Sequence, residues 1–170
     1  MKNLVNSLWG LVFTVLGAML VAACDPCAGV VCNNGNCSNG TCVCIDGYEK
    51  SGTTCVAINM GYIGSTGSIS ATVTTTDSNS VSQTTNAVGY TLTAAPTDPY
   101  TFTLMTFNNT VNNDITFTIS STNYDLIPSK TLTTAAGKTY TINGAKVGSQ
   151  IQLTIYDTVS KNTYVLAYTI

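Results

Sequence analysis

The chain has 170 residues, a formal net charge of −2 and a charged fraction of only 8 %. It contains no histidine and no arginine, and its six lysines are scattered along the sequence. Without a basic patch or a guanidinium group, nucleic-acid binding is not expected. The low charge and the many threonines after residue 50 are also atypical of a cytosolic enzyme. The length suits one domain, or a small module followed by a medium one.

The amino terminus has the order of features found in an export signal. Lys2 supplies a positive charge, an apolar stretch covers residues 8–21, and two alanines follow. This order predicts a secretory signal peptide over residues 1–23, which takes no part in the fold. The alternative is an uncleaved anchor, because a run that begins at Leu4 nearly reaches the ~20 residues that span a membrane.

Four residues at the end of this segment favour cleavage. Val21-Ala22-Ala23-Cys24 resembles the bacterial lipobox, in which the signal is cut before a cysteine whose thiol carries a diacylglycerol. The resemblance implies that Cys24 is the lipidated first residue of the mature chain, with residues 24–26 as its N-terminal segment. Acyl chains contribute ~0.8 kcal/mol per buried CH₂, so several chains on one residue anchor a protein firmly. The implied location is the bacterial outer membrane, with the protein facing the cell surface or the periplasm.

The six remaining cysteines lie within 29 residues and predict a disulfide module. They are Cys27, Cys32, Cys37, Cys42, Cys44 and Cys55. In an exported chain such a set is expected to be oxidised, although the spacing alone leaves all of the roughly fifteen pairings open. A zinc site is the rival, but zinc sites usually present CxxC pairs or histidines, and neither occurs here. We therefore predict no metal and no cofactor.

The segment from Cys27 to Cys55 resembles an epidermal-growth-factor-like module. The resemblance depends on the Cys42-Val43-Cys44 step and on the Gly47-Tyr48 pair after the fifth cysteine. It implies the pairs Cys27–Cys37, Cys32–Cys42 and Cys44–Cys55. Some members of the family bind calcium just before the first cysteine, but only Asp25-Pro26 stands there, so no calcium is expected. The module is expected to act as a stiff spacer, with partner binding as the alternative role.

From about residue 57 the chain alternates apolar residues with threonine, which is the period-2 pattern of strands with one buried face. Turn signals between these runs include residues 95–99, 112–114, Pro128-Ser129-Lys130 and Asn143-Gly144. The pattern predicts that one face of the sheet buries Val88, Tyr90, Leu92, Phe102, Leu104, Ile115, Phe117, Ile119, Tyr140, Ile142, Ile151, Leu153, Ile155, Tyr164, Leu166, Tyr168 and Ile170.

About seven short strands predict an all-β fold, an antiparallel β-sandwich over residues 67–170 with a linker at residues 56–66. The stretch INGAKVGSQIQLTIYD resembles a corner of immunoglobulin-like and fibronectin-type sandwiches. A Cys…Trp…Cys signature is absent from the sequence, so the resemblance concerns the architecture and not a particular family.

The mature chain offers few groups for catalysis. It has one glutamate, Glu49, and its aspartates stand mostly at predicted turns, where Asp usually caps its own backbone. We therefore predict no catalytic residues and no enzymatic activity. The predicted function is that of a membrane-anchored lipoprotein that binds another envelope protein or serves as an adhesion module. The alternatives are a glycan-binding surface lipoprotein and a fibre subunit, distantly similar to the lipidated pilins of Bacteroidetes.

Intact mass of the purified native protein tests these processing steps together. We expect the mass of residues 24–170 plus acyl groups, less six hydrogens, because Cys24 carries lipid and the other six cysteines are paired. Reduction should add the six hydrogens back. A mass that includes residues 1–23 would contradict the lipoprotein prediction.

Overall fold

The computed structural model describes residues 26–170. The predicted signal peptide, the predicted lipidation site Cys24 and Asp25 lie outside the described residues. The described residues divide into two compact units, which we call the disulfide module (residues 26–45 with Lys50–Cys55) and the β-domain (Asp46–Glu49, with Val56–Ile170). Within residues 26–170, no helix has the length and apolarity needed to cross a membrane.

Three disulfides hold the disulfide module together. They join Cys27 to Cys37, Cys32 to Cys42 and Cys44 to Cys55, the pairs that the resemblance implies. β1 (Gly35–Ser38) and β2 (Thr41–Cys44) form an antiparallel hairpin, and Asn39 and Gly40 at its turn both have positive φ. An isolated two-stranded hairpin is barely stable in water, so the disulfides, at about 2–4 kcal/mol each, replace a core.

A second hairpin pairs β3 (Tyr48–Ser51) with β4 (Thr54–Ala57) in a separate two-stranded sheet. The division between the two units runs through both of these strands. The tip of the hairpin therefore belongs to the disulfide module, and its base belongs to the β-domain.

The structure corrects the predicted linker at residues 56–66. These residues belong to the β-domain, and Met60–Ile63 forms a short helix, α1. Ile58, Tyr62 and Ile63 are buried in the core of the domain. The stretch has no sustained apolar periodicity that would indicate an element, but its apolar side chains fill one end of the sheet.

The β-domain is built on one eight-stranded antiparallel sheet. Its strands are β5 (Ser68–Thr76), β6 (Ser82–Ala94), β7 (Thr101–Leu104), β8 (Ile115–Thr118), β9 (Leu126–Thr133), β10 (Thr139–Val147), β11 (Gln150–Asp157) and β12 (Thr163–Thr169). Their order is β8-β7-β6-β5-β12-β11-β10-β9, so consecutive strands pair except β8 and β9, and the last strand, β12, pairs with β5. The all-β class, with a disulfide module followed by an antiparallel sheet, is confirmed. This meander order differs from the Greek-key order of an immunoglobulin-like sandwich.

The sheet is barrel-like, because its two edge strands, β8 and β9, come together through their flanking loops. The backbone N–H of Ser120, just after β8, donates to the carbonyl of Leu126 at 2.8 Å. The N–H of Ala136, just after β9, donates to the carbonyl of Asn112 at 2.9 Å. Among the described strands of this sheet, β8 and β9 follow each other in the sequence but are not joined by a ladder of backbone hydrogen bonds. We call this line of approach the seam.

Aromatic side chains fill the core at opposite ends of β7. On one side, Tyr62 of α1 stacks on Phe102, and Phe102 stacks on Phe117, with ring centroids 5.4 and 5.3 Å apart. On the other side, Phe107 lies in a short 3-10 turn, Phe107–Asn109, and meets Tyr140 edge to face at 5.7 Å. All five rings are buried, so both ends of the core are closed by packed side chains.

Threonines on the outer face pair across neighbouring strands, as expected for the solvated side of a sheet. Their hydroxyl groups lie 3.0–3.2 Å apart in the pairs Thr74–Thr84, Thr103–Thr116, Thr131–Thr141 and Thr133–Thr139. Such cross-strand pairs contribute roughly 0.2–1 kcal/mol each relative to alanine pairs. The abundance of threonine therefore has a structural explanation.

Two predicted turns lie inside strands instead. Pro128-Ser129-Lys130 belongs to β9, where an edge strand at a register shift tolerates proline because no ladder N–H is needed there. Asn143-Gly144 lies within β10, at the same register shift. A Cβ at Gly144 would lie 2.9 Å from the carbonyl oxygen of Gln152, so glycine is required here by close packing of β11 and not by a turn.

Replacing Phe107 tests the closed end of the core. Phe107→Ala should lower the free energy of unfolding of the β-domain by about 3–5 kcal/mol, because it removes a fully buried ring and leaves a cavity. Denaturant unfolding followed by far-ultraviolet circular dichroism measures the change. Val111→Ala in the same loop is the control, since Val111 is 75 % exposed and should change stability by less than about 0.5 kcal/mol. Equal unfolding midpoints for the two variants would contradict this account of the core.

Candidate functional site

The aspartates singled out in the sequence serve mainly as turn caps. Asp77 accepts the backbone N–H groups of Asn79 and Val81, each at 2.9 Å. Asp157 accepts those of Val159 and Ser160. Burial raises the pKa of Asp157, but these backbone hydrogen bonds outweigh it and leave the pKa below its usual value. These carboxylates are therefore engaged in holding loops.

The strongest candidate for a binding surface is a group of three tyrosines at one end of the β-domain, which we call the tyrosine cluster: Tyr62, Tyr100 and Tyr124. Tyr62 comes from α1, Tyr100 from the loop between β6 and β7, and Tyr124 from the loop between β8 and β9. Three segments that are distant in the sequence thus meet here. Tyr62 is fully buried, so the accessible part of the cluster is formed by Tyr100 and Tyr124. The rings of Tyr100 and Tyr124 are 6.1 Å apart and inclined at 51°.

Tyr100 is fixed by hydrogen bonds at both its backbone and its side chain. Its hydroxyl donates to Asp46 Oδ1 at 2.5 Å, and its backbone N–H donates to Asp98 Oδ1 at 2.9 Å. Gly47, beside Asp46, has φ +84° and lies so close to the ring of Pro99 that a Cβ there would overlap it. The segment carrying Asp46 is therefore packed directly on the loop that carries Tyr100.

Asn59 holds the start of α1 against the same loop. Its side-chain amide donates to the carbonyls of Asp98 and Thr101, at 3.1 and 2.9 Å, and its backbone N–H donates to the carbonyl of Pro99 at 2.8 Å. Asn59 is almost completely buried. These bonds fix the loop between β6 and β7 to α1, so Tyr100 cannot move independently of the core.

Tyr62 connects the tyrosine cluster to the core. Its hydroxyl donates to the backbone carbonyl of Tyr124 at 2.7 Å, and its own carbonyl accepts the hydroxyl of Tyr168 in β12 at 2.9 Å. The loop that carries Tyr124 is thus tied to a fully buried residue. Tyr124 itself is 37 % exposed, so its ring is available to a partner while its backbone is held.

Charged groups surround the tyrosine cluster. The Lys146 ammonium lies 5.6 Å from the centre of the Tyr62 ring, within the range of a cation–π contact. Burial raises the pKa of Tyr62 well above its usual value, and the negative charges of Asp125 and Glu49 raise it further. The hydrogen bond to Asp46 raises the pKa of Tyr100 in the same direction. Both phenols are therefore neutral hydrogen-bond donors at physiological pH.

This arrangement is suited to binding. Tyrosine supplies a large amphipathic surface with few rotatable bonds, and it is enriched at the centres of protein interfaces. Carboxylates beside it accept hydrogen bonds or pair with cationic groups. Within the described residues 26–170, no group of three or more His, Cys, Asp or Glu side chains is placed to hold a metal ion.

The period-2 pattern does not predict the tyrosine cluster, since it identifies only tyrosines within strands, such as Tyr90, Tyr140 and Tyr164. A usable signal was present. Tyr100 follows Asp98-Pro99, and Tyr124 stands in the polar stretch Ser120–Asp125, so both are large aromatics in turn-forming loops. Loops positioned by a rigid sheet commonly carry binding residues.

No family model, no curated protein and no solved structure matches this chain. Its function must therefore be inferred from its own residues.

An Asp46→Asn variant tests the electrostatics of the cluster. The pKa of Tyr100 should fall toward its ordinary value of 10.0, because the hydrogen bond to Asp46 is the largest cause of its rise. A raised phenol pKa stabilises the fold below the unfolded pKa, and this contribution is lost as the pH rises through the folded pKa. In the variant the Tyr100 contribution should therefore be lost at neutral pH already, and the stability should fall less steeply than in the wild type as the pH rises above 10.0.

The measurement is an alkaline titration of phenolate absorbance together with stability at each pH. Tyr168 is the internal control, since burial and not Asp46 raises its pKa. An unchanged Tyr100 titration in the variant would show that the hydrogen bond to Asp46 is not what holds the phenol neutral.

Proposed function

We propose that this chain is a lipid-anchored, non-catalytic protein of the bacterial envelope that binds a partner protein through the tyrosine cluster. Anchoring is supported by residues 21–24, which resemble a lipobox whose cysteine, Cys24, would carry the lipid. The disulfide pairs support an epidermal-growth-factor-like module between the anchor and the β-domain. The β-domain then carries the binding surface, either at the cell surface or in the periplasm.

The observation that carries the proposal is that Tyr100 and Tyr124 are held in place before any partner binds. Tyr100 is bonded to Asp46 and Asp98, and the backbone of Tyr124 is bonded to Tyr62. A preorganised surface pays less ordering entropy on association than a mobile one. Fixed tyrosines with partly exposed rings are the kind of residue on which interface affinity depends.

Charge gives the partner a chemical description. The cluster has four carboxylates near it, and Lys146 is the lysine that contacts Tyr62. The carboxylates are Asp46, Glu49, Asp98 and Asp125. Complementary potentials steer association and select partners. A partner surface with exposed lysine or arginine therefore suits this end best.

A glycan is the second candidate, because the inclined pair Tyr100 and Tyr124 stands beside carboxylates that can accept hydroxyl groups. A fibre subunit is less favoured. The edge strand β9 carries Pro128 and Lys130, and both residues discourage strand addition from another chain.

Site-specific photocrosslinking tests the proposal in the cell that makes the protein. A photoreactive phenylalanine analogue at position 124 should give a discrete higher-mass adduct, while the same analogue at position 156 should give none. Tyr156 is the matched control because it is a partly buried tyrosine on the outer face of β11, away from the loops of the cluster. Adding Tyr100→Ala to the position-124 protein should reduce the adduct severalfold.

Three other results count against partner binding at this surface. Equal adducts at positions 124 and 156 would indicate non-specific contact. No adduct at either position would leave the tyrosine cluster without a protein partner. A protease-resistant adduct that glycosidases remove would favour the glycan instead.

A further inference from the structure

The disulfide module is almost free of charge. Residues 26–45 contain no Asp, Glu, Lys or Arg, and Lys50 is the only charged residue within 50–55. Its amide and hydroxyl side chains give it polarity without charge. A surface of this composition can enter the headgroup region of a bilayer without burying an unpaired carboxylate, which would be costly.

The module also exposes large apolar side chains near its start. Val31 is 83 % exposed, and Val30, Val43 and Ile45 are exposed as well. Val30 and Val31 follow a turn in which the N–H of Val30 donates to the carbonyl of Cys27 at 3.1 Å. The disulfides of Cys27 and Cys32 bracket this turn, so the two valines are displayed by a constrained backbone.

A lysine stands beside the two valines. Val30, Val31 and Lys50 line the same shallow groove of the module, together with Gly52 and Thr53 at the tip of the second hairpin. A lysine can keep its ammonium at the level of lipid phosphates while its stem covers apolar surface. The groove thus combines an apolar pair with one cation, which suits a phospholipid surface.

The length of chain before the structure limits where this face can be. Only Asp25 and Pro26 separate Cys24 from Cys27, so the module begins within about 10 Å of the acylated residue. Residues 25–30 separate Cys24 from Val31, which limits the distance between the two to at most about 25 Å. The module therefore cannot leave the neighbourhood of the bilayer if Cys24 is lipidated.

We propose that the Val30-Val31 turn, with Lys50, is a membrane-contact face that inserts into the interfacial region of the bilayer. The inference rests on the proposed lipid anchoring at Cys24. The module then lies in the lipid headgroup region instead of acting as a stiff spacer. The occupant is a phospholipid surface, because this face is next to the anchor and carries the only charge of the module.

Tryptophan fluorescence can test this directly, because residues 24–170 contain no tryptophan. The Val31→Trp variant is prepared as the lipidated protein of residues 24–170. It is then reconstituted in phosphatidylcholine–phosphatidylglycerol vesicles with brominated acyl chains. Its emission should shift to the blue and lose about half of its intensity, since an interfacial side chain lies ~5–10 Å into the bilayer. Val111→Trp, on the β-domain, is the control and should emit as in water.

A second measurement avoids the preference of tryptophan itself for interfaces. Amide hydrogen exchange of residues 28–34 in wild-type protein on vesicles is compared with that of a Cys24→Ser protein free in solution. Exchange should be severalfold slower on vesicles, while that of residues 106–112 should not change.

The outcomes separate the two proposals. Protein that floats with vesicles but shows neither quenching at position 31 nor slowed exchange is anchored without a membrane-contact face, which overturns this inference alone. Protein that does not float with vesicles overturns both the anchor and the face. Slowed exchange that appears only when another envelope protein is added would assign the valines to a protein partner.

Discussion

Burial of Tyr62 is the interaction on which the end of the β-domain with the tyrosine cluster depends. Its ring stacks on Phe102 in the core, its hydroxyl holds the loop of Tyr124, and its carbonyl is held by Tyr168 of the last strand. A single residue outside the sheet thus connects one loop to two strands, β7 and β12. Without it, the polar groups it satisfies would be left unpaired next to an emptied core, which is costly.

The disulfide module is organised by a different principle. Its bridges close short segments, with partners 10 or 11 residues apart, and its strands have only four residues each. Covalent links take the place of packing, so the module can expose valines that a larger domain would bury. The two units therefore differ in which residues they can leave on the surface. In the β-domain the exposed residues of interest are held tyrosines, and in the module they are constrained apolar side chains.

Much of the fold could be predicted because alternation of apolar residues with threonine reports directly on which face of a strand is buried. The interior residues of β7, β8, β10 and β11 follow this pattern, and they are buried in the structure. The pattern does not predict β9, because Pro128 and Lys130 resemble a turn signal. An edge strand nevertheless tolerates both residues. The pattern also does not predict that residues 56–66 are buried. Tyr62 and Ile63 are not part of an alternating run, and their burial depends on a loop distant in the sequence. The tyrosine cluster was missed for the same reason, because its members meet only after three separate segments fold together.

The seam between β8 and β9 has a consequence for the loop that crosses it. Every other consecutive pair in the sheet is held by a ladder, whereas here single backbone bonds such as that of Ser120 to Leu126 join the edges. Local opening costs least where the fewest bonds must break. Tyr124 lies in this loop. A partner that binds its ring therefore also contacts the segment that joins the two edge strands. By thermodynamic linkage, occupancy of the cluster and closure of the sheet would then reinforce each other.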